Sequence, residues 1–119
     1  MELKAGRKLD ALVAEHVMGW DRRVTPNIKP LIVEYFHDGK PMHYERTWTP
    51  STDIAAAWEV VESDYWSEDW GIVKVDSAEP LYQVWDLPGW ELETGLISQA
   101  YSAPLAICLA ALKAVGGFQ

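Results

Sequence analysis

The sequence predicts an α+β domain, with three helices and an antiparallel sheet of about five strands. Three observations carry that reading. Apolar residues recur at helical spacing in segments near 9–20, 51–62 and 103–115. Five runs rich in β-branched and aromatic residues, or alternating in polarity, read as strands: 31–37, 42–48, 72–75, 81–87 and 90–98. Asp-Gly at 38–39 and Pro-Gly at 88–89 are tight-turn signals between neighbouring strands, which makes those pairs antiparallel. A chain of 119 residues, nearly half of them hydrophobic, is expected to form one domain over 1–119.

The first helix is expected from about Leu3 to Trp20. Leu9, Leu12, Val13, Val17 and Trp20 share its apolar face, and Arg7, Lys8 and Asp10 the other. His16 falls on the apolar side, and Gly19 is a stop signal. "DRRVTPNIKP", with two prolines, reads as a loop. On the strand at 42–48, alternation places Met42, Tyr44, Arg46 and Trp48 on one face and His43, Glu45 and Thr47 on the other.

In "STDIAAAWEVVE" (51–62), Ser51 is the expected N-cap and Asp53 complements the positive helix end. Ile54, Trp58 and Val61 form a stripe that assigns Trp58 to the core, while Ala55, Ala56 and Ala57 permit close approach to a neighbour. Glu59, Glu62 and Ser63 face water. The strand at 90–98 turns Trp90, Leu92, Thr94 and Leu96 inward and Glu91 and Glu93 outward, leaving part of one sheet face wet. The helix from Ala103 to Val115 has Ser102 as N-cap, Pro104 in its first turn and Gly116-Gly117 as its stop. Lys113 is its only charge, so most of its circumference should be covered, with Cys108 an inert packed thiol.

Composition excludes some function classes. Ten basic against 18 acidic residues give a net charge of −8, which argues against direct nucleic-acid binding. The longest apolar run, "APLAICLAALKAV", is shorter than the roughly 18 residues a membrane helix needs. The charged start "MELKAGRKLDALV" lacks a signal-peptide core, and a lone cysteine suits a reducing compartment, so a cytoplasmic location without membrane partners is expected. The seven tryptophans are too many for a small core, so they either line a groove or interface or pack at the rim of a twisted sheet.

Three segments, "LDALVAEHVMGW", "STDIAAAWEVVE" and "APLAICLAALKA", in this order around a strand-rich middle, resemble the small phage and prophage proteins of the phage ABA sandwich domain family. They cover about a third of the chain. The resemblance implies an α-β-α sandwich and a phage or prophage origin, which would place the protein in the host cell cytoplasm. It implies no activity, and no catalytic residue transfers with it. A wet sheet face fits poorly with helices covering both sides.

No residue pattern recommends an enzyme. His37 and His43 flank the hairpin turn, but no third metal ligand is evident, and a plain surface pair is the simpler reading. Phosphate loops, G-x-S-x-G and H-E-x-x-H are absent, and the acidic pairs Glu91/Glu93 and Asp64/Glu68 read as solvated charges. A non-enzymatic binding domain without cofactor is the expectation.

Two binding readings remain open. In the first, Trp20, Arg22, Arg23, Arg46, Trp48, Ser51 and Thr52 hold an anionic small molecule. Arginine grips phosphate, tryptophan stacks a base, and free N–H groups at a helix start receive an anion. Small phage proteins without catalytic motifs often counter host defence, so the ligand would be a nucleotide-derived immune signal, of cyclic-nucleotide or ADP-ribose type, sequestered in a homo-oligomer. The bland counterpart is that the arginines only offset neighbouring acids. In the second reading, the acidic aromatic run at 62–70, with Tyr65, Trp66, Glu68, Asp69 and Trp70, binds the basic face of a host protein. Its bland counterpart is a capped helix end and an exposed loop.

Overall fold

A computed structural model describes residues 4–25, 32–63, 66, 70–75, 81–86 and 95–116. Helix α1 (Arg7–Leu12) runs directly into a π-helical turn, Val13–Val17. Strands β1 (Asp21–Thr25), β2 (Ile32–His37) and β3 (Lys40–Tyr44) follow, then a 3-10 turn, Glu45–Thr47, and helix α2 (Ile54–Val61). Strands β4 (Trp70–Val75), β5 (Leu81–Asp86) and β6 (Leu96–Ala100) lead to helix α3 (Ala103–Ala114).

The strands form two antiparallel sheets of three, ordered β1-β2-β3 and β4-β5-β6, and not one sheet of about five. The additional strand is β1, in the stretch read as a loop. Arg22 and Arg23 leave it without an alternating apolar face, yet it pairs with β2 from Asp21↔Phe36 to Thr25↔Ile32. The turn between β2 and β3 follows its sequence signal: Asp38 and Gly39 both take positive φ, 52° and 81°, as a two-residue hairpin demands. Pro88, Gly89, Trp90, Glu91, Leu92, Glu93 and Thr94 lie outside the described residues. Of the inward set expected on that strand only Leu96 is described, and it is exposed; Ser98 and Ala100, which lie outside that set, are buried.

Two apolar clusters share α3. Leu9, Val13, Ala14 and Val17 meet Trp20, Tyr35, Trp48, the Ala56/Ala57/Val60 face of α2 and Ile107, Cys108, Ala111 and Leu112 of α3. Ala106 and Ala110 of α3 face Val84 and Ala100 of the second sheet. Burial on both sides accounts for the near absence of charge on this helix. Ser98 Oγ donates to the Ala106 carbonyl at 2.7 Å and Lys113 Nζ to the Ile97 carbonyl at 2.7 Å, so β6 is tied to α3 at two points. The cap at Ser102 forms as expected, accepting from the Leu105 N–H.

Helix α2 is rotated relative to the sequence reading. Ile54 and Trp58 are exposed, and the buried face is Ala56, Ala57 and Val60. Both stripes have helical spacing; the small one wins because α2 packs closely on α3, where long side chains would hold the axes apart. His16, expected on the apolar side, is exposed, and Asp10, expected on the polar side, is buried.

Candidate functional site

A groove of about 540 Å³ opens between the end of the first helix, the β2–β3 hairpin and α2. Its first wall is Val17, Met18, Gly19 and Trp20. The π-turn builds this wall: Met18 N–H donates to the Val13 carbonyl and Trp20 N–H to that of Ala14, widening the last turn beyond α-helical spacing. Gly19, at φ 71°, then turns the chain toward β1. The second wall is His37 and Met42. Between Tyr35 and Phe36 the β2–β3 register slips, from Tyr35↔His43 to Phe36↔Pro41, so Met42 is a bulge residue. Glu59, Glu62 and Ser63 of α2 and its end complete the lining.

Beside the groove, four rings pack together. Trp20 stacks on His43 at 5.6 Å between centroids, tilts against Trp48 at 4.6 Å and meets Tyr35 at 6.1 Å. His43 Nε2 lies 3.2 Å from Glu59 Oε2, joining β3 to α2. His43 is thus wedged among aromatics, which overturns its reading as half of a plain surface pair. His37 sits apart from it, exposed, with Nδ1 3.9 Å from Asp38. Among the described residues no group of three His, Cys, Asp or Glu side chains could hold a metal ion. Burial pushes the Tyr35 phenol and the Cys108 thiol above their ordinary pKa values, so neither is poised as a nucleophile.

The first set of predicted site residues does not assemble as a phosphate cradle. Trp20 and Trp48 are buried, and the Trp48 indole N–H donates to the Asp10 carbonyl at 3.1 Å, so their ring faces are covered by protein. Arg46 and Trp48 do not share a strand face, because β3 ends at Tyr44 and the 3-10 turn re-aims both. Arg22 Nε donates to Glu45 Oε2 at 2.8 Å, a pairing that raises the guanidinium pKa further. Arg23 lies over the Phe36 ring at 4.7 Å and Arg46 over Tyr44 at 5.2 Å. All three arginines have partners within the chain.

The helix start at Ser51–Asp53 is also taken. Asp53 is the N-cap in place of Ser51, accepting from the Ala55 N–H at 3.2 Å. Ser51 N–H donates to Asp10 Oδ1 at 2.8 Å, and the N–H groups of Thr52 and Asp53 donate to the Thr49 carbonyl. Ser51 Oγ accepts from Gly6 N–H at 2.9 Å, so the segment before α2 is clipped to α1. Thr52 is exposed beside this clip.

Of the second set, Tyr65, Glu68 and Asp69 lie outside the described residues. Trp66 and Trp70 meet edge to face at 5.1 Å and pack against the core, half-buried. They act first as packing residues. Sequence reasoning missed Asp10, Met18, Met42 and the joint role of Glu59 and Glu62. In the sequence Glu59 and Glu62 read only as residues facing water, and a bulge and a buried carboxylate leave no local sequence pattern.

The sequence model of the phage ABA sandwich domain matches residues 11–112 of the 119. The chain belongs to the phage ABA sandwich domain family. The match spans both sheets, α2 and nearly all of α3, and therefore every groove residue named above. No curated protein and no solved structure matches the chain. In this phage ABA sandwich domain no helix, among the described residues, is long and apolar enough to cross a membrane.

Proposed function

We propose that this phage protein acts by stoichiometric binding with no covalent step, and that its groove receives a Lys or Arg side chain of a host protein. One observation carries the reading: Glu59 and Glu62 line the groove together with Met18, Met42 and Trp20, and no Lys or Arg is among its described lining residues. A long basic side chain matches this lining, its methylene stem on the apolar residues and its charged head on Glu62 and on Glu59, which also holds His43. The net charge of −8 would steer such a partner. Anti-defence action fits a phage origin, and inhibition of a host protein is the form that the acidic groove favours.

Sequestration of a nucleotide-derived signal in a homo-oligomer has weaker support. A phosphate about 4 Å from one groove carboxylate meets about 4 kcal/mol of repulsion at the effective dielectric of a protein surface. Of the arginines expected to hold it, Arg22 is paired with Glu45, and Arg23 and Arg46 already cover rings of their own chain.

Native mass spectrometry of the protein purified from host cells, before and after denaturation, separates the two readings. A stoichiometric complex with a host protein, dissociated by E59Q/E62Q, is the expected result. A homo-oligomer that releases a nucleotide in fixed ratio would overturn it.

A further inference from the structure

Helix α2 is inverted in size. Two of its three alanines, Ala56 and Ala57, are buried with Val60, while its two largest residues, Ile54 and Trp58, are 52% and 51% exposed. Those two lie one helical turn apart, and Glu62 of the groove continues the same row one turn further on. The fold therefore holds α2 by its Ala56, Ala57 and Val60 face and leaves about half of the surface of its two largest side chains to solvent. We infer that the Ile54–Trp58 row is a docking face for a partner protein, whose apolar pocket, rimmed by Lys or Arg, takes the two side chains as anchors.

Charge selects that occupant. Asp53, Glu59 and Glu62 surround the row on the same helix, and residues 47–73 contain six acids and no Lys or Arg. A second copy of the chain would bring these carboxylates against one another, which costs free energy at any close interface. A basic partner gains instead, and tryptophan in a desolvated pocket is the side chain that most often dominates such contacts. The inference rests on the groove reading for the partner's sign of charge, and adds to it the hydrophobic anchor beside the groove.

Isothermal titration with synthetic peptides tests it. The probes are an amphipathic Leu/Lys helix, its Leu/Glu counterpart, and a Lys/Gly peptide without apolar residues. The wild-type chain is expected to bind the Leu/Lys helix and not the Leu/Glu one. I54A/W58A, at two half-exposed positions and checked for retained fold by circular dichroism, should weaken Leu/Lys binding about tenfold or more and leave Lys/Gly binding unchanged. Unchanged Leu/Lys binding by I54A/W58A would overturn the anchor, even if E59Q/E62Q abolished Lys/Gly binding and so upheld the groove. Conversely, Lys/Gly binding that survives E59Q/E62Q, with Leu/Lys binding still lost in I54A/W58A, removes the groove and keeps the anchor. Sedimentation of the wild type as a dimer, and of I54A/W58A as a monomer, would assign the face to a second copy and refute the proposal.

Discussion

The carboxylate of Asp10 accepts the backbone N–H of Ser51 at 2.8 Å, across 41 residues of sequence. This bond does what a helix cap does, but from another element. It occupies the helix start that the sequence offers to an anion, and it holds the segment between the 3-10 turn and α2 against α1. Burial raises the Asp10 pKa, and the hydrogen bonds from Ser51 only partly counter it. The folded chain thus keeps this proton to a higher pH than the unfolded chain, whose carboxyl titrates near its ordinary 3.8. Asp10 therefore lowers stability as pH rises from about that ordinary value through the folded one. Asp10→Asn keeps an acceptor oxygen and has no proton to lose. It is expected to flatten that decline and to be at least as stable as wild type at neutral pH, whereas Asp10→Ala should cost about 1–3 kcal/mol by orphaning a buried N–H. Urea unfolding across the acid range checks both.

The inverted α2 makes a prediction opposite to the hydropathy of its residues. Trp58→Ser, at a half-exposed position, should cost about 1 kcal/mol. Ala57→Leu, on the buried face, should cost about 1–3 kcal/mol by forcing α2 away from α3. Midpoints of chemical denaturation for the two variants rank them directly, and the reverse order would contradict the packing described.

Exposed Arg22 pairs with Glu45, whose side chain is mostly covered, and with one partner open to solvent such a pair contributes about 0–1 kcal/mol. Arg22→Ala and Glu45→Ala should each destabilise by no more than that, and the double variant should show a coupling that shrinks in high salt. A thermodynamic cycle at two salt concentrations measures it.

Cys108 is fully buried and its thiol pKa is raised by desolvation, with Asp10 adding to the effect. Iodoacetamide should leave the folded protein unmodified at mildly alkaline pH and label it fully in denaturant. Intact-mass measurement reads the difference. Labelling of the folded chain at the rate of an unfolded peptide would show that α3 opens locally.

Legibility followed locality. The hairpin turn at Asp38-Gly39 and the whole of α3 with its Ser102 cap could be read, because each depends on residues within one or two turns. Strand β1 could not, since exposed arginines give it no alternation and its pairing with β2 is decided elsewhere. The division into two sheets was also hidden: strand patterns state which residues alternate, not which strands meet. On α2 two stripes competed, and the larger residues were the natural choice on hydrophobicity alone. Close packing on α3 chose the smaller. The groove was not legible, since Glu59, Glu62 and Ser63 read only as residues facing water. Its walls come from a π-turn and a bulge, and neither declares itself in composition.

Helix α3 serves both clusters, yet every element it covers precedes it in the chain. On the ribosome, the first helix, α2 and the second sheet all emerge before the surface that closes their apolar faces. Neither half can complete its core before α3 has emerged, so native packing waits until residues 103–114 have cleared the exit tunnel. Until then the nascent chain exposes open apolar faces of the kind that chaperones bind.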